Sequence, residues 1–320
     1  MLTTVTVARA EPGLLPHFPD LVRLPDGTLL AAYREGAGHV RSDGRIRVVT
    51  SADGGQTWGR PHTAVDGPWD DRDPKLAVLA DGSVLLSWFV LDWSTEPHTN
   101  LGTFVRRSPD GGLTWGDSVQ AGVTASHGAA VQLPGGDLLL PLYGRQPGGQ
   151  WEQATVARST DLGATWTVSV LAARDGVNFQ EPTLTVLDSG ELVALIRTTG
   201  DVAWIARSAD DGHTWSVAEP TDLPASSHHA LVLSSGEVLV TYGDLARRFS
   251  PRRDTVGRVV RRPEGSWNGY PDVQLYDSGH HDQANPSSAE VAPGRYLTLG
   301  FDIPAAAVVG VFSSAEDFPA

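Results

Sequence analysis

An all-β, six-bladed propeller is the fold this chain predicts, on the strength of two interlocked repeats and of the short strands that lie between them. The first repeat reads SADGGQTW at 51–58, SPDGGLTW at 108–115, STDLGATW at 159–166 and SADDGHTW at 208–215. Four copies of S-x-D-x-G-x-T-W spaced by roughly fifty residues match the period of propeller blades. A decayed fifth copy, RRPEGSW, ends at Trp267. In each copy Ser and Asp can hydrogen-bond turn backbone, Gly can take a positive φ, and Trp can plug the gap between blades. Asp53, Asp110, Asp161 and Asp210 are therefore read as structural, not catalytic.

The second repeat is an apolar strand, an x-G turn and another apolar strand, as in VRLPDGTLLAAYR, AVLADGSVLLSWF and TVLDSGELVALIR. It occurs six times, with its glycines at 27, 82, 136, 190, 236 and 294. D-G, G-G or S-G between apolar runs is a hairpin signal, so six hairpins mean six blades. One further strand precedes each S-x-D motif and another follows its Trp, which gives four antiparallel strands per blade. After the last hairpin only VVGVFSSAEDF remains, whereas residues 1–10 form a spare strand. The N-terminal strand is expected to complete the last blade, and residues 1–320 to form one domain.

Composition narrows the partners. A formal charge of −14 argues against broad Lys/Arg patches for nucleic acid or anionic membrane. With no cysteine, neither disulfides nor thiolate metal sites staple the fold. The N-terminus lacks a basic leader followed by an apolar run, and no stretch of eighteen apolar residues occurs; the expectation is a cytoplasmic protein.

If the boxes and the x-G turns share one face, the opposite mouth gathers the residues before each inner strand and after each second strand. Before the inner strands stand His17 and Asp20, then Asp71, Arg72, Asp73 and Lys75, then His127, Glu181, His228 with His229, and Asn285. After the second strands stand Arg34 and Glu35 leading to His39 and Asp43, then Tyr143, Arg197, and Tyr242 leading to Arg247 and Arg248. In an acidic chain, Arg34, Arg72, Arg197 and Arg247 around one axis suggest selection of an anionic group, because guanidinium forks hold carboxylates bidentately.

With these motifs the whole chain resembles the sialidase superfamily of BNR, or Asp-box, proteins. The resemblance implies a carbohydrate substrate. Glu181 in NFQEPTL resembles the Glu beside the sialidase Tyr nucleophile, Arg197 resembles a clamp arginine for the substrate carboxylate, and Arg34 resembles the additional arginine of the first blade. Three positions depart from the pattern. His17-Phe18-Pro19 stands where sialidases have Arg-Ile-Pro, Asn285-Pro286 stands where the Tyr would open the last inner strand, and Glu35, His39 and Asp43 share the loop of the acid/base Asp. The third clamp arginine falls to Arg247 or Arg248.

Three functions fit. The first is a glycoside hydrolase acting on an anionic or unusual sugar. Such cleavage usually needs one protonated and one ionised carboxyl group; here these are Glu181 and Asp73, with Asp43, Glu35 and His39 behind them. His17, Asp20, Arg34, Arg72, His127, Tyr143, Arg197, His228, Tyr242 and Arg247 are then expected to contact substrate. The second is a polysaccharide lyase in which His127, Tyr143 and Arg197 act on a uronate. The third is a propeller that binds a glycan without cleaving it. No cofactor or metal is expected, since the neighbours His228 and His229 point to opposite faces of a strand, and His280-His281-Asp282 is read as structural or substrate-contacting.

Overall fold

The computed structural model describes residues 2–319 and contains six four-stranded antiparallel blades around one axis. Their inner strands are Leu15–Arg23, Asp70–Val78, the split pair Ala125–Ser126 and Val131–Gln132, Phe179–Val186, Ala225–Val232 and Ser287–Ala292. Blade 6 runs from its inner strand through Arg295–Asp302 and Ala307–Ser314 to the N-terminal strand Thr3–Arg9, which forms its outer edge. The chain ends thus join in one sheet, and the ring is closed as expected. Among the described residues no helix is long and apolar enough to cross a membrane.

The core lies between blades. Leu21, Leu29, Ala31 and Tyr33 of blade 1 pack on Leu297, Leu299, Val308 and Phe312 of blade 6. Each box tryptophan covers such a seam: Trp58 sits against the cluster of blades 6 and 1, Trp115 against blades 1 and 2, Trp166 against blades 2 and 3, and Trp215 against blades 3 and 4. Trp267, from the decayed copy, is buried between blades 4 and 5.

Inside a box the aspartate organises the turn. In the first copy Asp53 accepts from Ser51 Oγ at 2.8 Å, Thr57 N at 2.9 Å and Thr57 Oγ1 at 2.5 Å, while Ser51 Oγ accepts from Gly55 N at 2.9 Å. Thr57 above all holds the Asp53 carboxyl down at about 2. Gly55 has φ +90°, and a Cβ there would come within 2.6 Å of Leu297, so only glycine fits the seam. Pro109, Asp110 and Gly111 of one box share a surface cleft with Asp26 and Gly82 of two x-G turns. Boxes and hairpin turns therefore occupy one face, and the strand ends bearing the polar residues occupy the other.

Candidate active site

The mouth is built by a repeated break in the inner strands. Their pairing skips two residues between His17 and Asp20, Arg72 and Lys75, Gln180 and Thr183, and Ser226 and His229. At each break one residue adopts a left-handed backbone: Phe18 at φ 54°, Asp73 at 49°, Glu181 at 46° and Ser227 at 48°. Such conformations cost about 1–3 kcal/mol each and persist only where the surroundings enforce them. Two of the four are the carboxylates chosen from the sequence.

Asp73 joins three blades. One oxygen meets Lys75 Nζ at 3.1 Å and Asn285 Nδ2 of blade 6 at 3.4 Å, and the other meets His127 Nδ1 of blade 3 at 2.8 Å. Burial would raise its carboxyl, but Lys75 and then His127 hold it down at about 2. Asp73 is thus an ionised partner of His127. Gly128 places His127: its N–H donates to Pro182 O at 3.1 Å, and a Cβ there would stand 2.7 Å from that oxygen. With Nδ1 bound to Asp73, Nε2 is the nitrogen left for a substrate.

Glu181 is the second centre. Its oxygens accept from Arg197 NH1 at 2.6 Å and from Ser227 N at 2.9 Å. Burial opposes ionisation, but Arg197 and then His127 hold the carboxyl at about 2. Tyr143 lies within electrostatic reach of Glu181 and Asp73; burial, and then these two carboxylates, push its hydroxyl well up. His228 lies edge-on to His127 at 6.1 Å between centroids and approaches Thr183 Oγ1 through Nδ1 at 3.1 Å. Burial, followed by His127, pushes it down to about 3. Asp20 is beneath the cluster, accepting from Leu76 N of blade 2 at 2.6 Å; burial raises its carboxyl against the pull of Lys75.

Asp73, His127, Glu181, Arg197, Tyr143 and His228 are therefore gathered together, with Asp20 as floor. His17 and His39 stand at the first-blade side with Asp282. The other candidates are engaged elsewhere. Glu35 is buried in pairs with Arg45 and Arg47, and Asp43 accepts from Ala37 N to close its own loop. Arg34 and Arg72 share Asp70, at 2.7 and 2.8 Å, and hold the 37–44 loop through its carbonyls. Tyr242 is in the seam of blades 4 and 5, its hydroxyl bonded to Asp272 at 2.5 Å and to Arg248. Arg247 is exposed, and Arg248 is paired with Asp244 and Asp272.

A second arginine near the centre, beside Arg197, is Arg253, fixed by Gln283 O and Ala284 O and within electrostatic reach of Glu181, Arg197 and Asp282. It belongs to the basic stretch 246–258, in which Arg252 pairs with Asp277, Arg258 is buried against Asp272, and Thr255–Val260 is the third strand of blade 5. Lys75 and Asn285 were visible in the motifs; Lys75 meets Asp73 along their shared strand, whereas the Asn285 contact arises only when blades 2 and 6 meet across the axis.

The sequence model of the BNR repeat-like domain matches residues 27–268. A sialidase of Micromonospora viridifaciens is 26% identical over 255 residues, 68% of this chain and 38% of that enzyme, so the chain spans little more than a third of this relative's length. Among solved structures, a protein of unknown function from Dyadobacter fermentans superimposes with a TM-score of 0.86 at 23% identity, covering 97% of this chain and 98% of the other. The Hadza microbial sialidase Hz136 gives a TM-score of 0.77 at 17% identity, covering 95% of this chain and 66% of that one.

Proposed function

Because the chain belongs to the BNR repeat-like domain family, with a sialidase among its distant relatives, we propose that it is a glycoside hydrolase that cleaves a glycan bearing an anionic group. One observation carries this reading: an ionised carboxylate, Glu181, lies within electrostatic reach of an imidazole, His127, whose Nδ1 is held by the ionised Asp73. In the proposed reaction the glycosidic C–O bond breaks as His127 Nε2 gives its proton to the leaving oxygen. A water oxygen bonds to the anomeric carbon and loses a proton to Glu181. Proton donation from Nε2 calls on the imidazolium form of His127, with a proton on each nitrogen; Asp73 accepts from Nδ1, orients the ring and is a positioning residue. Arg197 and Arg253 supply positive charge for the anionic group, with Arg197 exchanging part of its contact to Glu181 for the substrate.

The Asp73–His127 pair together with Tyr143 also favours a second reading, elimination from a uronate, in which His127 or Tyr143 exchanges the C5 proton and no water is consumed. A screen of purified protein against glycosides of sialic, ulosonic and uronic acids and of neutral sugars, with product masses recorded, separates the cases. Hydrolysis adds one water to the products; elimination leaves an unsaturated, ultraviolet-absorbing sugar; a pure binder leaves its ligand intact. On the substrate found, Glu181→Gln and His127→Asn are each expected to lower kcat/KM by about 100-fold or more. Unchanged turnover in Glu181→Gln overturns the assignment.

A further inference from the structure

Three side chains at the mouth take no part in that chemistry. His17 lies on the inner strand of blade 1, His39 on the 37–44 loop, and Asp282 on the segment leading into blade 6. His39 Nδ1 stands 2.9 Å from Asp282 Oδ1, and His17 Nε2 stands 3.4 Å from Asp282 Oδ2. One ligand atom from each of the three falls within 4.8 Å of the others.

His17 makes the arrangement pointed. Its side chain is 0% exposed, yet neither ring nitrogen has a hydrogen-bond partner, because the 3.4 Å approach to Asp282 is misaligned. Leaving a buried polar group without a partner costs about 1–3 kcal/mol. A cation between the three groups would remove that cost. Ligands held about 2.1 Å from a tetrahedral ion stand about 3.4 Å from one another. His39 is 40% exposed, so the open side of the triangle faces the mouth. The guanidiniums of Arg34 and Arg72 lie nearby, but both are paired with the buried Asp70, which blunts their repulsion of a cation.

We propose that His17, His39 and Asp282 bind one divalent transition-metal cation of the zinc class at the mouth of the propeller, with at least one coordination position open. Two imidazoles and a carboxylate suit zinc and its first-row neighbours better than magnesium or calcium. In the sialidase resemblance His17 stands at the place of a clamp arginine, so the ion would return the positive charge lost there and anchor an anionic substrate group. That anchoring role rests on the carbohydrate reading; the metal site itself does not.

The test uses full-length protein stripped with a chelator and titrated with Zn²⁺ alone, followed by calorimetry and metal analysis. The wild type is expected to take up one equivalent. His39→Ala and Asp282→Asn are expected to weaken binding by more than about 100-fold, beyond the about 10–100-fold that outer partners of a ligand are worth. His17→Gln should do the same. Should it fail to fold, the half-exposed His39 carries the test, and Co²⁺ loading should give visible absorption in the wild type that His39→Ala lacks. Absence of stoichiometric Zn²⁺ binding, or affinity unchanged in both His39→Ala and Asp282→Asn, overturns the site. If zinc binds as expected but glycan affinity is the same with and without it, the anchoring role alone falls, whatever the outcome for hydrolysis.

Discussion

At the scale of single residues, the chemistry of the mouth is set by what each charge faces. Glu181 and Asp73 were legible in the sequence as carboxylates near the axis, but their protonation was not, because His127 and Arg197 come from other strands and blades. The depressed groups predict a particular acid response. Glu181 is held at about 2 against an ordinary 4.5, so its contribution to stability is present above 4.5 and disappears as the pH falls toward 2. His228 is held at about 3 against 6.5, so the unfolded chain takes up its proton first, and stability drains away as the pH falls below 6.5. Each such proton is worth about 1.4 kcal/mol per pH unit inside its window. Thermal melting from pH 8 to 3 should therefore show a decline that begins near 6.5 and steepens below 4.5. His228→Gln should flatten the upper part and Glu181→Gln the lower; identical profiles for all three proteins would refute the assigned causes.

At the scale of elements, the repeated box is a turn that delivers a tryptophan to a seam between blades. The residue pattern alone gave both jobs, since Ser, Asp, Gly and Thr act within eight residues and need no distant partner. In blade 3, Asp161 accepts from Ser159 Oγ, Thr165 N and Thr165 Oγ1, and Trp166 packs against the seam of blades 2 and 3. In urea unfolding Trp166→Ala is expected to cost up to about 3 kcal/mol, and Asp161→Ala to lower stability by less. Neither should alter kcat/KM, because the boxes lie on the face away from Glu181. A loss of turnover in Asp161→Ala at full folding would give that aspartate a role beyond the turn. What the pattern did not give is the left-handed break shared by Phe18, Asp73, Glu181 and Ser227. Three of these precede proline, which ordinarily favours extended backbone, and the surrounding blades override that preference.

At the scale of the whole molecule, stability depends on closure. Thr3–Arg9 pairs with Ala307–Ser314 from Thr3 opposite Phe312 to Arg9 opposite Ala307, while Val7 and Ala8 enter the seam of blades 6 and 1. Deleting residues 1–9 would leave the ladder edge of blade 6 open and strip one side of that seam, a template for pairing with other chains. The expected result is a melting temperature lowered by more than 10 °C, on the order of several kcal/mol for a domain of this size, together with association visible in light scattering. A truncated protein that melts with the full chain would show that closure by this strand contributes little.

The sequence by itself determined the blade number, the strand order, the closure by the N-terminus and the face on which polar groups collect. All of these follow from local turn chemistry repeated at a fixed period. Only the tertiary structure decided which of those polar groups meet. Glu35, Asp43, Tyr242 and Arg247 left the list because ion pairs, a loop closure, a blade seam or solvent claim them. Arg253 and Asp282 joined it because blades far apart in the chain converge on one axis, where a charge is governed chiefly by its neighbours in space.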